Sequence, residues 1–329
     1  MRYARGVRVV PVYFDPVVLR HDPGPYHPEM AHRLQVVVET LRGDGRKIEA
    51  PPAPERTLKA VERVHEPAYV QRFAAVGNLG PADFEGPFAL FDCPDNPISA
   101  GTFEASLRAV SLALAATDAV IAGRAASVFV VARPPGHHAL AARAMGYCFL
   151  NTIAIAARDL IEYHGVSRVL VADFDVHHGN GTQQLFWEDG RVAYLSVHRH
   201  PFFPGTGAAD EEGVGRGRGA TKNVPLPVGA GDAKYAGGFT AALETLSERF
   251  RPELVLVSAG FDAHASDPIG GMRVTTEGFA WMTRALEDVA EAFAGGRIVS
   301  LLEGGYHPEA MAASAAEHVR VLARTGGLM

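Results

Sequence analysis

Cysteine is scarce in this sequence: Cys93 and Cys148 are the only two in 329 residues. Two thiols cannot build a disulfide framework, which points to a reducing cytoplasm as the compartment. Basic runs are lacking as well. The net charge is −6, and only Arg216 and Arg218 cluster, in a glycine-rich stretch, so nothing marks a nucleic-acid surface and a cationic substrate is mildly favoured. No apolar run approaches the length of a membrane span. The opening MRYARGVRVVPVYF is broken by Pro11 and stopped by Asp15, too short and too strand-like for a secretory leader. Internal repeats and low-complexity linkers are also missing, which excludes solenoids and leaves one folded unit over residues 1–329 as the expectation.

What is present suits a folded α/β protein. Short apolar runs at 7–13, 127–132, 169–172, 192–197, 254–258 and 298–302 alternate with helical patterns that include 105–122, 151–163, 235–249, 276–294 and 309–324. Runs that are apolar on both faces suit a parallel sheet, and their alternation with helices reads as βαβ units. Thr275, Thr276 and Glu277 open one helix in the manner of a cap. Polar and chemically reactive residues gather just after the runs, in RPPGHH, DFDVHHGN, HRHPFFPGTG, GFDAHASDP and EGGY. In open parallel sheets the ligand crevice lies at the carboxyl ends of the strands, so these five loops are expected to converge.

Within them, Asp175 and His177 are one residue apart, so extended backbone would turn both side chains the same way. Asp262, at the next strand end, is the natural third ligand of a zinc ion. Two carboxylates and a neutral imidazole offset a divalent charge and leave room for water. D-x-H alone is a weak signal. It gains weight from the neighbours: Gly136 permits the bend that delivers His137 and His138, of which one could move a proton while the other gives electrostatic help. Asp173 and Asn180 are available to orient them. Tyr306, after Gly304 and Gly305, could donate to an oxyanion. Tyr147 and Phe203 could wall a narrow channel for an aliphatic amine stem, and Phe149 suits core and cleft equally. Gly146, beside Tyr147, and Gly305, beside Tyr306, are expected at the same substrate surface.

RPPGHHA, GYCFLN, DFDVHHGNGTQ, FFPGTG, SAGFDAHASDP and LEGGY, in this order, resemble the histone deacetylase family, including its bacterial amidohydrolase and acetylpolyamine amidohydrolase members. The resemblance covers nearly the whole chain and implies an arginase-like single α/β domain with a central, mostly parallel sheet. It implies one Zn2+ per subunit on Asp175, His177 and Asp262, with His138 as general base and acid. His137 becomes the electrostatic histidine paired with Asp173, Tyr306 polarises the carbonyl, and Tyr147 and Phe203 line the tunnel. Asp92 in FDCP matches an acidic residue that grips substrate at the rim. A structural K+ is implied at Asp173, Asp175, His177, Ser196 and Val197, and a second near Phe186 and Val192.

Two departures are informative. Position 180 is Asn where many members carry Asp, as in the class II type, which leaves His138 less readily protonated. Arginase-like relatives with two metals carry extra carboxylates where this chain has Gly179 and His264, so one transition metal is expected. The resemblance implies hydrolysis of an acetyl amide, on acetyl-lysine in protein or peptide or on a small acetylated amine such as a polyamine. HDPGPYHPE looks closer to the histone-deacetylase-like branch. A non-catalytic acyl-lysine binding module is the reading of another class, disfavoured because mere binding needs no proton shuttle. Zinc against iron, and a monomer against a homo-oligomer, are left open.

Overall fold

The computed structural model describes residues 8–78 and 89–323. Strands β1 (Val12–Tyr13) and β2 (Ile48–Glu49) open the chain, and β3 (Ala89–Leu90) and β4 (Pro97–Ile98) pair antiparallel on their own. Six more strands follow: β5 (Ser127–Val130), β6 (Val169–Asp173), β7 (Val192–Arg199), β8 (Thr221–Leu226), β9 (Leu254–Ala259) and β10 (Ile298–Leu302). All but β3 and β4 join one eight-stranded sheet in the order β2-β1-β5-β10-β9-β6-β7-β8. Every pairing in it is parallel. The expected open α/β architecture is what the chain adopts, and β5, β6, β9 and β10 are buried along their whole length.

Helices cover the sheet in two layers. One is α1 (His32–Gly43), α9 (Pro308–Leu322), α8 (Thr276–Phe293) and α7 (Asp232–Phe250), each packed on the next. The other holds α4 (Thr102–Ile121), α5 (Thr152–Glu162) and α2 (Thr57–Glu62), with α3 (Pro67–Ala75) beside α2 and the short α6 (Asn180–Leu185) beside α5. Thr275 caps α8 by accepting from Gly278 N, as its sequence suggested. Phe149 goes to the core, fully buried and stacked on Phe73 at 5.2 Å. Among the described residues no helix is long and apolar enough to cross a membrane.

Three elements differ from expectation. The run at 7–13 shortens to β1, and residue 7 lies outside the described residues, as does residue 324 at the end of the last expected helix. Strand β8 has no apolar run to announce it: TKNVPL alternates and contains Pro225. An edge strand tolerates that proline, and among the described residues β8 pairs with β7 alone. The third is the backbone after β6, which bends at residues 175–177 instead of continuing extended.

Candidate metal centre

The five loops do converge at the carboxyl ends of the strands. The bend after β6, not extended backbone, brings Asp175 and His177 together, and it is locked by short bonds. His177 N donates to Asp175 Oδ1 at 2.9 Å, and Asp175 N donates to Asp173 Oδ1 at 3.1 Å. Asp262 arrives from the loop after β9 and accepts from Val176 N through Oδ1 at 2.8 Å. One ligand atom from each of Asp175, His177 and Asp262 lies within 4.8 Å of the other two, and all three residues are buried. His177 Nδ1 is 3.0 Å from Asp175 Oδ1 and 3.1 Å from Asp262 Oδ2. Gly304 must lack a Cβ here, since one would stand 2.2 Å from Asp262 Oδ2 and 2.6 Å from Asp175 Oδ2.

The donor set fits a divalent cation. Asp262 Oδ2 is buried and no hydrogen bond from the described residues reaches it, although His177 Nδ1 is close. An unpaired buried carboxylate oxygen is costly, and an ion between these three side chains would satisfy it. The titration behaviour agrees: burial, reinforced by the charge of Asp175, pushes the Asp262 carboxyl up to about 7. Two carboxylates and one imidazole buried together are the oxygen-and-nitrogen set that zinc accepts.

His137 and His138 flank this group, their ring centroids 4.0 Å apart, but their partners differ. His137 Nδ1 meets Asp173 Oδ2 at 3.0 Å, and Tyr194 donates to the same oxygen at 3.0 Å. Burial opposes charge on His137, yet Asp173 and Asp175 outweigh it and lift the imidazole to about 10. His138 Nδ1 meets Asn180 Oδ1 at 2.8 Å. Burial first, then the positive charges of His137 and His177, hold it well below the usual histidine range, and the neutral Asn180 offsets this only in part. The surroundings thus favour charge on one imidazole and disfavour it on its neighbour.

A cleft of about 240 Å3 leads to them, lined by His138, His177, Tyr147, Phe203, Tyr306 and Asp95, with Gly146, Phe202 and Ile269 completing its walls. Phe202 stacks on His177 at 5.1 Å, and Phe203 meets the His138 ring edge-on at 5.1 Å. Gly146 is confined by this closeness: at φ +59°, its Cβ would lie 2.4 Å from His138. Gly305 does not line the cleft as expected. Its carbonyl accepts from Arg33, and a Cβ would meet Met311 at 2.9 Å.

Asp92 is the second displaced expectation. At φ +67°, it gives its carboxylate to two other segments, accepting from Ala144 N at 2.8 Å and pairing with Arg72. Asp95, three residues on, lines the cleft and accepts from Gly146 N at 3.0 Å. Asp95→Asn is therefore expected to raise KM for an acetylated amine that carries a positive charge about fivefold and leave kcat within twofold. Asp92→Asn is expected to lower thermal stability instead; steady-state kinetics and melting of the two variants separate them, and the reverse pattern refutes the assignment.

Sequence reasoning missed a buried framework behind the site. Arg33 donates to Glu303 O at 2.9 Å and lies 4.9 Å over the Tyr306 ring. Glu29, fully buried, is held between Arg33 and Arg133 at 2.9 and 2.6 Å. Such charges read as surface in a sequence. Arg33 could have been flagged, because it shares the apolar face of α1 with Leu34, Val37 and Leu41.

The fold is that of the arginase/deacetylase class. The family model for the histone deacetylase domain matches residues 27–322. The chain belongs to the histone deacetylase family, whose members are hydrolases of acetylated amines. It is 39% identical over 280 residues to the histone deacetylase-like amidohydrolase of Pseudomonas aeruginosa, covering 85% of this chain and 71% of that one. It is 36% identical over 307 residues to a probable deacetylase of Archaeoglobus fulgidus, covering 92% and 82%. With the human polyamine deacetylase HDAC10 it shares 39% over 302 residues, 89% of this chain and 44% of that longer protein. The HDA15 HD domain superposes with a TM-score of 0.88 at 33% identity, covering 96% of this chain and 88% of the other.

Proposed function

We propose that this protein is a zinc-dependent deacetylase, one catalytic domain over residues 1–329, that hydrolyses the acetyl amide of acetyl-lysine in protein or peptide. The carrying observation is a buried Asp-His-Asp group with an unpaired carboxylate oxygen among the described residues, next to one imidazole partnered by a carboxylate and one partnered by a neutral amide. Asp175, His177 and Asp262 would hold the metal. Zinc in such a set supplies Lewis acidity toward a carbonyl and makes water more acidic.

The chain's own residues do the rest. Tyr147 and Phe203 flank the aliphatic stem and exclude water. His138, uncharged and aligned by Asn180, accepts a proton from the attacking water and passes it to the leaving nitrogen as the carbon–nitrogen bond breaks. His137, kept cationic by Asp173, stabilises the negative charge that develops on the carbonyl oxygen, to which the Tyr306 hydroxyl donates. Acetate and the free amine are the products. Gly179 and His264 offer no further carboxylates, and His264 Nδ1 is taken by Ser266 N at 3.1 Å, which supports one metal per subunit.

Potassium beside the zinc, at Asp173, Asp175, His177, Ser196 and Val197, belongs to the same proposal. Its support is the family resemblance. The second site, at Phe186 and Val192, rests on the family resemblance.

Acetylated polyamines are the second reading, favoured by the carboxylate of Asp95 at the cleft and by the name of the human relative. A fluorogenic acetyl-lysine peptide assayed beside acetylspermidine and acetylputrescine, with and without chelator, decides between them. No chelator-sensitive turnover on any of them would defeat the enzyme reading. The neutral partner of His138 gives a further expectation. Asn180→Asp puts a carboxylate against Nδ1, favours the imidazolium and moves the acidic limb of kcat/KM to higher pH. An unchanged pH profile refutes the assignment of His138 as base.

A further inference from the structure

One buried carboxylate takes no part in that scheme. Glu303, at the end of β10, is 3% exposed, and its two oxygens collect donors from two other segments. Oε2 accepts from Gly136 N at 2.6 Å and from His137 N at 3.3 Å, while Oε1 accepts from Ser258 Oγ at 3.0 Å. Its main chain is held as well. Glu303 N donates to Ala259 O at 3.1 Å, and Glu303 O accepts from Arg33 at 2.9 Å. Three residues further on stands Tyr306, whose own N–H is fixed by Asp267 Oδ2 at 2.7 Å. One side chain thus joins the loop that carries His137 and His138 to the ends of β9 and β10, from which Asp262 and Tyr306 project.

We infer that Glu303 is a positioning residue: its carboxylate clamps the His137–His138 loop at the distance from Tyr306 that the reaction needs. The inference rests on the deacetylase reading for its kinetic consequence, but not for the clamp itself. What matters in a clamp is reach and acceptor geometry. Glutamine keeps the reach: its carbonyl can accept from Gly136 N and His137 N, and its amide can donate to Ser258 Oγ, which accepts as readily as it donates. Aspartate keeps the charge but is one methylene short of all three donors. The backbone N–H groups of the loop would then be buried without a partner, and the loop would shift to find one.

The test compares Glu303→Gln with Glu303→Asp in the zinc-loaded protein. Misplacement of catalytic groups by about 1 Å can cost about 100-fold, so Glu303→Asp is expected to lower kcat by about 30-fold or more with KM within threefold. Glu303→Gln is expected to stay within about fivefold of the parent, as it retains the three hydrogen bonds. A second readout needs no turnover. In protein labelled with 15N-histidine, the proton on His137 Nδ1 in its bond to Asp173 should give a downfield resonance that persists in Glu303→Gln and shifts or broadens in Glu303→Asp. The opposite ranking of the two variants, or an unmoved resonance and full kcat in Glu303→Asp, overturns the clamp. Should Glu303→Asp fail to fold, Ser258→Ala removes one donor, and a kcat and resonance identical to the parent would overturn it equally. If the parent turns over no acetylated amine, the deacetylase reading fails and the resonance alone decides the clamp.

Discussion

Stripping the metal with a chelator is expected to take hydrolysis of acetylated amines to background, and one equivalent of Zn2+ per chain to restore it. The same ion should hold the fold together. Without it, Asp175 and Asp262 are two buried carboxylates sharing one imidazole, and Asp262 is pushed up to about 7 from an ordinary 3.8. A carboxyl that binds its proton more tightly folded than unfolded adds stability below its unfolded pKa. That contribution fades as pH rises toward the folded value. The ion-free protein should therefore melt lower at pH 8 than at pH 6. Metal binding, which needs the deprotonated ligands, should gain strength over the same interval. A thousandfold excess over Kd stabilises by about 4 kcal/mol, or on the order of 10 °C in Tm, and at one fixed Zn2+ concentration the increment should be larger at pH 8, where Kd is lower. Melting curves with and without Zn2+ at the two pH values check this. An equal increment at both would show that Asp262 does not titrate against the ion, and activity that survives exhaustive chelation would remove the metal from the mechanism.

How far the sequence foretold this site depends on what each residue's role requires of its neighbours. Strand ends were legible because β5, β6, β9 and β10 are buried on both faces and so are written as unbroken apolar runs. Once those ends were placed, the loops carrying His137, Asp175, Asp262 and Tyr306 had to meet. The edge strand β8 escaped because a strand paired on one side can alternate and carry Pro225. Asp92 and Asp95 show the limit of motif reading. Which of two nearby aspartates faces the cleft is decided by the left-handed backbone at Asp92 and by donors at Ala144 and Arg72, over fifty and twenty residues away in the chain respectively. The Asp175–His177 pair was expected to align by extended backbone, yet a bend with its own hydrogen bonds aligns them. The framework of Arg33, Glu29 and Glu303 was missed because charge is ordinarily a surface signal, and only tertiary packing shows that each buried charge has its partners. Of the three, Glu303 was the most accessible to sequence reasoning. It directly follows an apolar strand run, where an isolated carboxylate at a buried strand end calls for donors.

Tyr306→Phe is expected to lower kcat by about 10²- to 10³-fold and to leave KM within about threefold, the signature of a donor that matters most in the transition state. The substitution is clean because nothing but the hydroxyl changes. Tyr306 N is held by Asp267, the carbonyl of Gly305 by Arg33, and the ring lies beneath the Arg33 guanidinium and edge-on to Tyr147 at 6.1 Å. A phenylalanine ring keeps all four contacts. In the parent the hydroxyl is a dependable donor, since burial, with Asp262 close by, holds the phenol well above its ordinary pKa and so protonated at working pH. Its alternative role, as a packed aromatic at the cleft wall, predicts a different result: phenylalanine would pack as well or better, and both kcat and KM would stay near the parent values. Measuring the two constants separately, with zinc content determined on the same preparation, distinguishes them. A kcat loss below about threefold at full metal occupancy would leave oxyanion stabilisation to His137 and the metal centre, and Tyr306 would become a wall residue.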